Sequence, residues 1–259
     1  MKKIFLAILI LSLPVFVWAQ DVDSDYLKIY SLDDLRFKSQ FALWDLDGGY
    51  DLATIDLGGD GQFEILVGAG RRHQPSVKIL RGNGTFINEF LVYGEGFTGG
   101  INIMGCDFEN DNRQEILIGA NKGGGAHVRI FDGFGNPKIS PGFFAEVSEY
   151  KQGVQVGCAD TDADGFDEIF TVSGDDTKQL KAFDLEGNLL RQINLPLKSH
   201  NIDIAAIDLG GDGKEEIVIA GGWQDESLIQ IYRGDLSLVN EWLAYNDDFK
   251  GGVNVLGVD

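Results

Sequence analysis

The sequence predicts an all-β chain, a β-propeller of four-stranded antiparallel blades, on three observations. A ten-residue acidic stretch starts at Asp56, Asp107, Asp160 and Asp208, giving spacings of 51, 53 and 48 residues. Short runs that alternate apolar and polar residues flank every copy, which is the period of a half-buried strand. Nothing between the copies repeats with a helical period. A sandwich would not repeat its loops in step, and a β-solenoid would need shorter coils.

Residues 1–19 read as a secretory signal. Lys2 and Lys3 precede an apolar run from Ile4 to Val17, and Val17-Trp18-Ala19 ends in a small residue. The run is shorter than the ~20 residues of a spanning helix, so cleavage before Gln20 is expected. Residues 20–49 then read as the outer half of a blade, with Leu27 to Tyr30 as its third strand and Phe37 to Trp44 as its fourth. Repeats follow at about 50–100, 101–152, 153–201 and 202–251, and another opens at 252. Strand one of each repeat carries a polar residue between two apolar or aromatic ones, as in Tyr50-Asp51-Leu52, Ile101-Asn102-Ile103 and Ile202-Asp203-Ile204. Strand two follows the acidic turn (Ile65-Leu66-Val67, Ile116-Leu117-Ile118), and strand three alternates (Val77 to Leu80, Val128 to Phe131). A Gly/Asp/Asn-rich hairpin leads to strand four, expected at Glu89 to Tyr93 and Glu241 to Tyr245. A half blade in front and one inner strand behind suggest a piece of a longer chain.

The loops carry the chemistry. Oxygen atoms at positions 1, 3, 5 and 9, with a backbone carbonyl at 7, suit a hard cation with six to eight ligands, which points to calcium before magnesium. Loop one offers Asp56, Asp60 and Glu64 with the Gln62 carbonyl; loop two offers Asp107, Glu109, Asp111 and Glu115 with that of Arg113. Loop three offers Asp160, Asp162, Asp164 and Glu168 with the Phe166 carbonyl; loop four offers Asp208, Asp212 and Glu216 with that of Lys214. Gly58 and Gly210 stand at position 3 of loops one and four and remove a ligand, so loop three ranks first and loop two second. Position 6, where the chain must turn sharply, holds Gly61, Asn112, Gly165 and Gly213. An EF-hand is excluded, because its twelfth position falls on Val67, Ile118, Thr171 and Ile219. About one calcium per complete loop is expected, and four ions would move the net charge from −20 to −12.

These loops, with Phe97-Thr98-Gly99-Gly100 and Phe249-Lys250-Gly251-Gly252 before strand one, resemble the FG-GAP or VCBS repeats of integrin α-subunit propellers and secreted bacterial proteins. The resemblance covers about residues 26–259. It implies calcium between the first two strands of a blade, usually seven blades in the full ring, and a secreted or cell-surface location, the periplasm included.

An excess of 41 acidic over 21 basic residues repels phosphate backbones and anionic lipid, so neither nucleic acid nor membrane insertion after cleavage is expected. Cys106 and Cys158 fall on neighbouring inner strands in opposite side-chain phases, which favours two buried thiols over a bridge. Catalytic residues are not indicated. His73, His127 and His200 occupy non-equivalent points of the repeat, and Gly94 to Gly99 matches a nucleotide-binding pattern with no helix to follow. Arg233-Gly234-Asp235 occupies a hairpin position that turn chemistry explains. The expected function is a monomeric extracellular adhesion or binding module for protein or glycan, with calcium mainly structural. The alternative is the propeller part of a secreted enzyme, such as a polysaccharide lyase or a phospholipase-associated domain.

Overall fold

A computed structural model of the 259-residue chain describes residues 9–11, 15–18, 26–31, 37–42, 48–147, 149–174, 178–198, 202–246 and 248–257. Among these residues it contains no α-helix, and its strands form five four-stranded sheets. Blade one is β5 (Tyr50–Ile55), β6 (Glu64–Ala69), β7 (Ser76–Arg81) and β8 (Phe86–Leu91). Blade two is β9 (Ile101–Cys106), β10 (Glu115–Ala120), β11 (His127–Phe131) and β12 (Phe143–Phe144). Blade three is β13 (Gln155–Ala159), β14 (Glu168–Ser173), β15 (Lys178–Phe183) and β16 (Leu189–Leu195); blade four is β17 (Asp203–Ile207), β18 (Glu216–Ala220), β19 (Leu228–Tyr232) and β20 (Leu238–Leu243). Strands are antiparallel and neighbours in sequence pair in order, which is a meander.

A leading sheet precedes them: β1 (Leu9–Leu11), β2 (Val15–Trp18), β3 (Tyr26–Ser31) and β4 (Phe37–Ala42). Its last two strands fall in the stretch read from the sequence as the outer strands of a half blade, here as part of a four-stranded sheet. Its first two lie within the stretch read as a signal. Short apolar runs serve as strands or as the core of a leader, and periodicity does not separate the two.

Strand four starts earlier than expected, at Phe86 and Leu238 instead of Glu89 and Glu241. Pairing resumes as soon as the hairpin closes, through a bulge at Ile79/Leu80 and at Ile231/Tyr232. The outer strand is exposed along most of its length, so no apolar alternation marks its beginning. In blade two this strand shrinks to two residues. Pro137 and Pro141, which lack an N–H to donate, occupy the segment between β11 and β12.

The core lies between blades. On β10, Ile116 and Ile118 join an apolar cluster with blade one, while Leu117 joins one with blade three. On β14, Phe170 and Val172 face blade four and Ile169 faces blade two. Middle strands are therefore buried on both faces, and each fully buried side chain contributes roughly 1.5–3 kcal/mol. Inner strands pack in succession, β5 on β9, β9 on β13 and β13 on β17.

This stacking corrects the reading of the cysteines. Cys106 and Cys158 form a disulfide that links the inner strands of blades two and three, with Cα atoms 6.0 Å apart. Opposite phases within the repeat are what a bridge requires here, because the front of one blade meets the back of the next.

Polar residues at the middle of strand one tie the same strands together. Asp51 Oδ2 accepts the Ile103 N–H (2.9 Å), Asn102 Nδ2 donates to the Val154 carbonyl (2.7 Å), and Asp203 Oδ2 accepts the Val255 N–H (2.9 Å). Residues 253–255 form no strand, so this bond and Val253 N–H to the Gly221 carbonyl hold the segment. Further out, buried Lys181 donates to Glu146 (2.7 Å) and to the Ala145 carbonyl (2.8 Å), which joins blades two and three.

Candidate metal centres

Each acidic loop connects strands one and two of its blade, as expected, and its first Asp organises it. Asp56 Oδ1 accepts the N–H groups of Gly58, Gly59 and Asp60 at 2.8–3.2 Å, while Oδ2 accepts that of Gly61 (2.7 Å). Asp160 receives Ala163, Asp164 and Gly165 at 2.8–3.2 Å, and Asp208 receives Gly211, Asp212 and Gly213 at 2.7–3.2 Å. Asp107 makes the corresponding bonds to Asp111 (3.3 Å) and Asn112 (2.9 Å). The position 5 carboxylate caps the residue two further on, with Asp60 on Gln62, Asp111 on Arg113, Asp164 on Phe166 and Asp212 on Lys214. At position 9, Glu64, Glu115, Glu168 and Glu216 reach back to the N–H of position 2 at 3.1–3.3 Å.

Two left-handed residues shape every loop, not one. Position 6 has φ of 64° to 90°, and position 4 has 52° to 64° at Gly59, Asn110, Ala163 and Gly211. Alanine is unfavourable there by roughly 1–2 kcal/mol, so loop three holds strain at Ala163.

Ligand geometry separates the four. Among the described residues, only loop three brings three carboxylates together, with oxygen atoms of Asp160, Asp162 and Asp164 within 4.8 Å of one another. That donor set, three carboxylate oxygens close together, fits a hard cation. Glu168 stands at the edge, held by Thr161 Oγ1 (2.6 Å), and burial raises its pKa. Loops one and four, with glycine at position 3, do not gather three carboxylates within that distance.

Loop two holds a cation of its own. Lys138 Nζ lies 2.8 Å from Glu109 Oε1 and 3.2 Å from Glu115 Oε1, and the Glu115 side chain is 7% exposed. Glu109 first, then Glu115, raises the lysine pKa, while burial raises that of Glu115 in spite of the ammonium beside it.

Sequence reasoning missed a clamp between loops. The side chain at position 8 of one loop accepts the N–H of position 1 in the loop before it, and its own N–H donates to that residue's carbonyl. Gln114 does this to Asp56 (2.9 and 2.9 Å), Asp167 to Asp107 (2.7 and 3.1 Å) and Glu215 to Asp160 (2.9 and 2.9 Å). Burial, opposed by the Asp107 N–H, pushes the Asp167 carboxyl up to about 7. The signal was an acid or amide at position 8 of three copies.

Arg233-Gly234-Asp235 is part of the blade packing. A Cβ on Gly234 would lie 2.3 Å from Thr161 Oγ1, so the turn seats directly on loop three. Hydrogen bonds from the Ser237 side chain and then from its N–H, which lies 2.8 Å from Asp235 Oδ1, lower the pKa of Asp235. Beside this contact lies a cleft of about 440 Å³, lined by Thr161, Asp162, Glu168, Leu190, Arg191 and Asp235. His73 and His127 lie in different blades, and His200 lies outside the described residues.

No protein-family model matches this sequence, and no curated protein sequence matches it either. Solved structures do. One of BBS1N in complex with ARL6DN is 16% identical with a TM-score of 0.58, covering 90% of this chain and 66% of that one. A protein of unknown function from Bacteroides caccae is 11% identical with a TM-score of 0.55, covering 90% of this chain and 74% of that one. The chain thus spans less than two thirds of the BBS1N structure's length and about three quarters of the other's. At such identities the likeness speaks to architecture alone. Together with the repeated four-stranded sheets, it shows that the chain folds as a β-propeller.

Proposed function

We propose that the chain is a calcium-binding propeller of the FG-GAP or VCBS type that acts outside the cytoplasm as a protein- or glycan-binding module. The convergence of Asp160, Asp162 and Asp164 carries the reading. Three carboxylates this close repel one another by roughly 1 kcal/mol per pair even in water, and a divalent ion removes that cost. Protein binding has support from the fold, since the BBS1N structure was solved with a protein partner. Calcium here is a brace, and recognition belongs to the blade surfaces.

Screening the purified protein against glycans, candidate proteins and ester or polysaccharide substrates tests the function. Binding without turnover is the expected result; turnover would replace the reading with an enzyme. Export is tested separately. Expressed in a secreting host, the mature protein should begin at Gln20, whereas retention of Lys2 and Lys3 would mean that β1 and β2 belong to the working fold.

A further inference from the structure

We propose that Lys138 is the resident cation of loop two, a built-in ammonium that stands where the other loops are open to a metal ion. The inference rests on the calcium reading of these loops. Lys138 follows the hairpin of blade two, and the pairing of Phe131 with Pro137 fixes its register. In the other blades the equivalent pairs are Leu80 with Phe86, Phe183 with Leu189 and Tyr232 with Leu238. The residue one step on is Ile87, Leu190 or Val239, so among blades one to four only blade two places a charge at this register.

Loop three supplies the internal control. Leu190, the counterpart of Lys138, lines the cleft beside Asp162 and Glu168. There the position 1, 3 and 5 carboxylates converge. In loop two the position 3 and position 9 carboxylates instead hold the ammonium, at 2.8 and 3.2 Å. A lysine delivers one charge without a second molecule having to be bound, and its bonds to Glu109 and Glu115 take up oxygens that calcium would need.

Bound calcium per chain, counted by calorimetry and native mass spectrometry on the full chain, tests the swap. Lys138→Leu should bind one ion more than its parent, and Leu190→Lys one fewer. Lys138→Gln, which removes the charge and keeps a polar side chain, gives the same reading if the leucine variant does not fold. No gain in either Lys138 variant would overturn the proposal, as would loss of an ion from the parent on Glu109→Gln. The gain is counted against the parent's own number, so it is read whatever loop three does. Asp162→Asn reports on the calcium reading alone, which fails if that variant keeps the parent's count.

Discussion

Replacing Cys106 and Cys158 together by alanine is expected to destabilise the protein by about 4 kcal/mol, the loop-closure value for a sequence separation of 52. The bridge joins neighbouring blades at their inner strands, so its loss removes a covalent tie between two sheets that still share an apolar cluster, and leaves each sheet's own pairing in place. Urea denaturation with and without reductant measures the effect. The double variant should lose stability and should no longer respond to reductant. Identical midpoints for the parent in oxidising and reducing buffer would show that the bridge contributes nothing.

With calcium chelated, the protein is expected to be more stable at pH 5 than at pH 8. Burial pushes Asp51 up to about 7, with the Ile103 N–H opposing and the charge of Asp203 adding. Burial likewise raises Asp203 to about 6, against the Val255 N–H, and Asp167 stands at about 7. Such carboxyls keep their protons in the folded chain after the unfolded chain has lost them, so stability falls as pH rises from about 4 to about 7. His127 acts in the other direction, since burial lowers its pKa and protonation below about 6.5 favours unfolding. Three groups outweigh one.

The Asp51→Asn, Asp203→Asn double variant isolates the two strand-one carboxyls. Asparagine keeps an acceptor for the Ile103 and Val255 N–H groups, and blade two already uses Asn102 at this register. Stability at pH 8 should rise by on the order of a few kcal/mol, and the slope between pH 5 and 8 should flatten. A slope unchanged by the double substitution would remove these two carboxyls as its source.

Much of this fold was legible because two periods coincide in the sequence. A strand repeats every two residues and a blade about every 50, and Asp56, Asp107, Asp160 and Asp208 mark the same turn each time. What escaped lies between blades. The phase of Cys106 and Cys158 reads correctly only when successive sheets stack front to back. Asp51 and Asp203 looked like ordinary polar positions of half-exposed strands, yet both cross to the next blade's backbone. Gln114, Asp167 and Glu215 sat in the acidic motif as spacers while they clamp the loop before. Lys138 escaped because its neighbours Glu109 and Glu115 are reached through a hairpin whose register a sequence does not fix.

The central claim, that calcium braces this propeller at loop three, is tested most directly by the melting temperature in millimolar calcium and in chelator. At a dissociation constant of about 0.1 mM one site adds roughly 1.4 kcal/mol. For a chain of this size that is a rise of about 3–5 °C per site. The parent should show at least that rise, and Asp162→Asn should lose one site's share of it. Equal melting temperatures of the parent in calcium and in chelator would contradict the account.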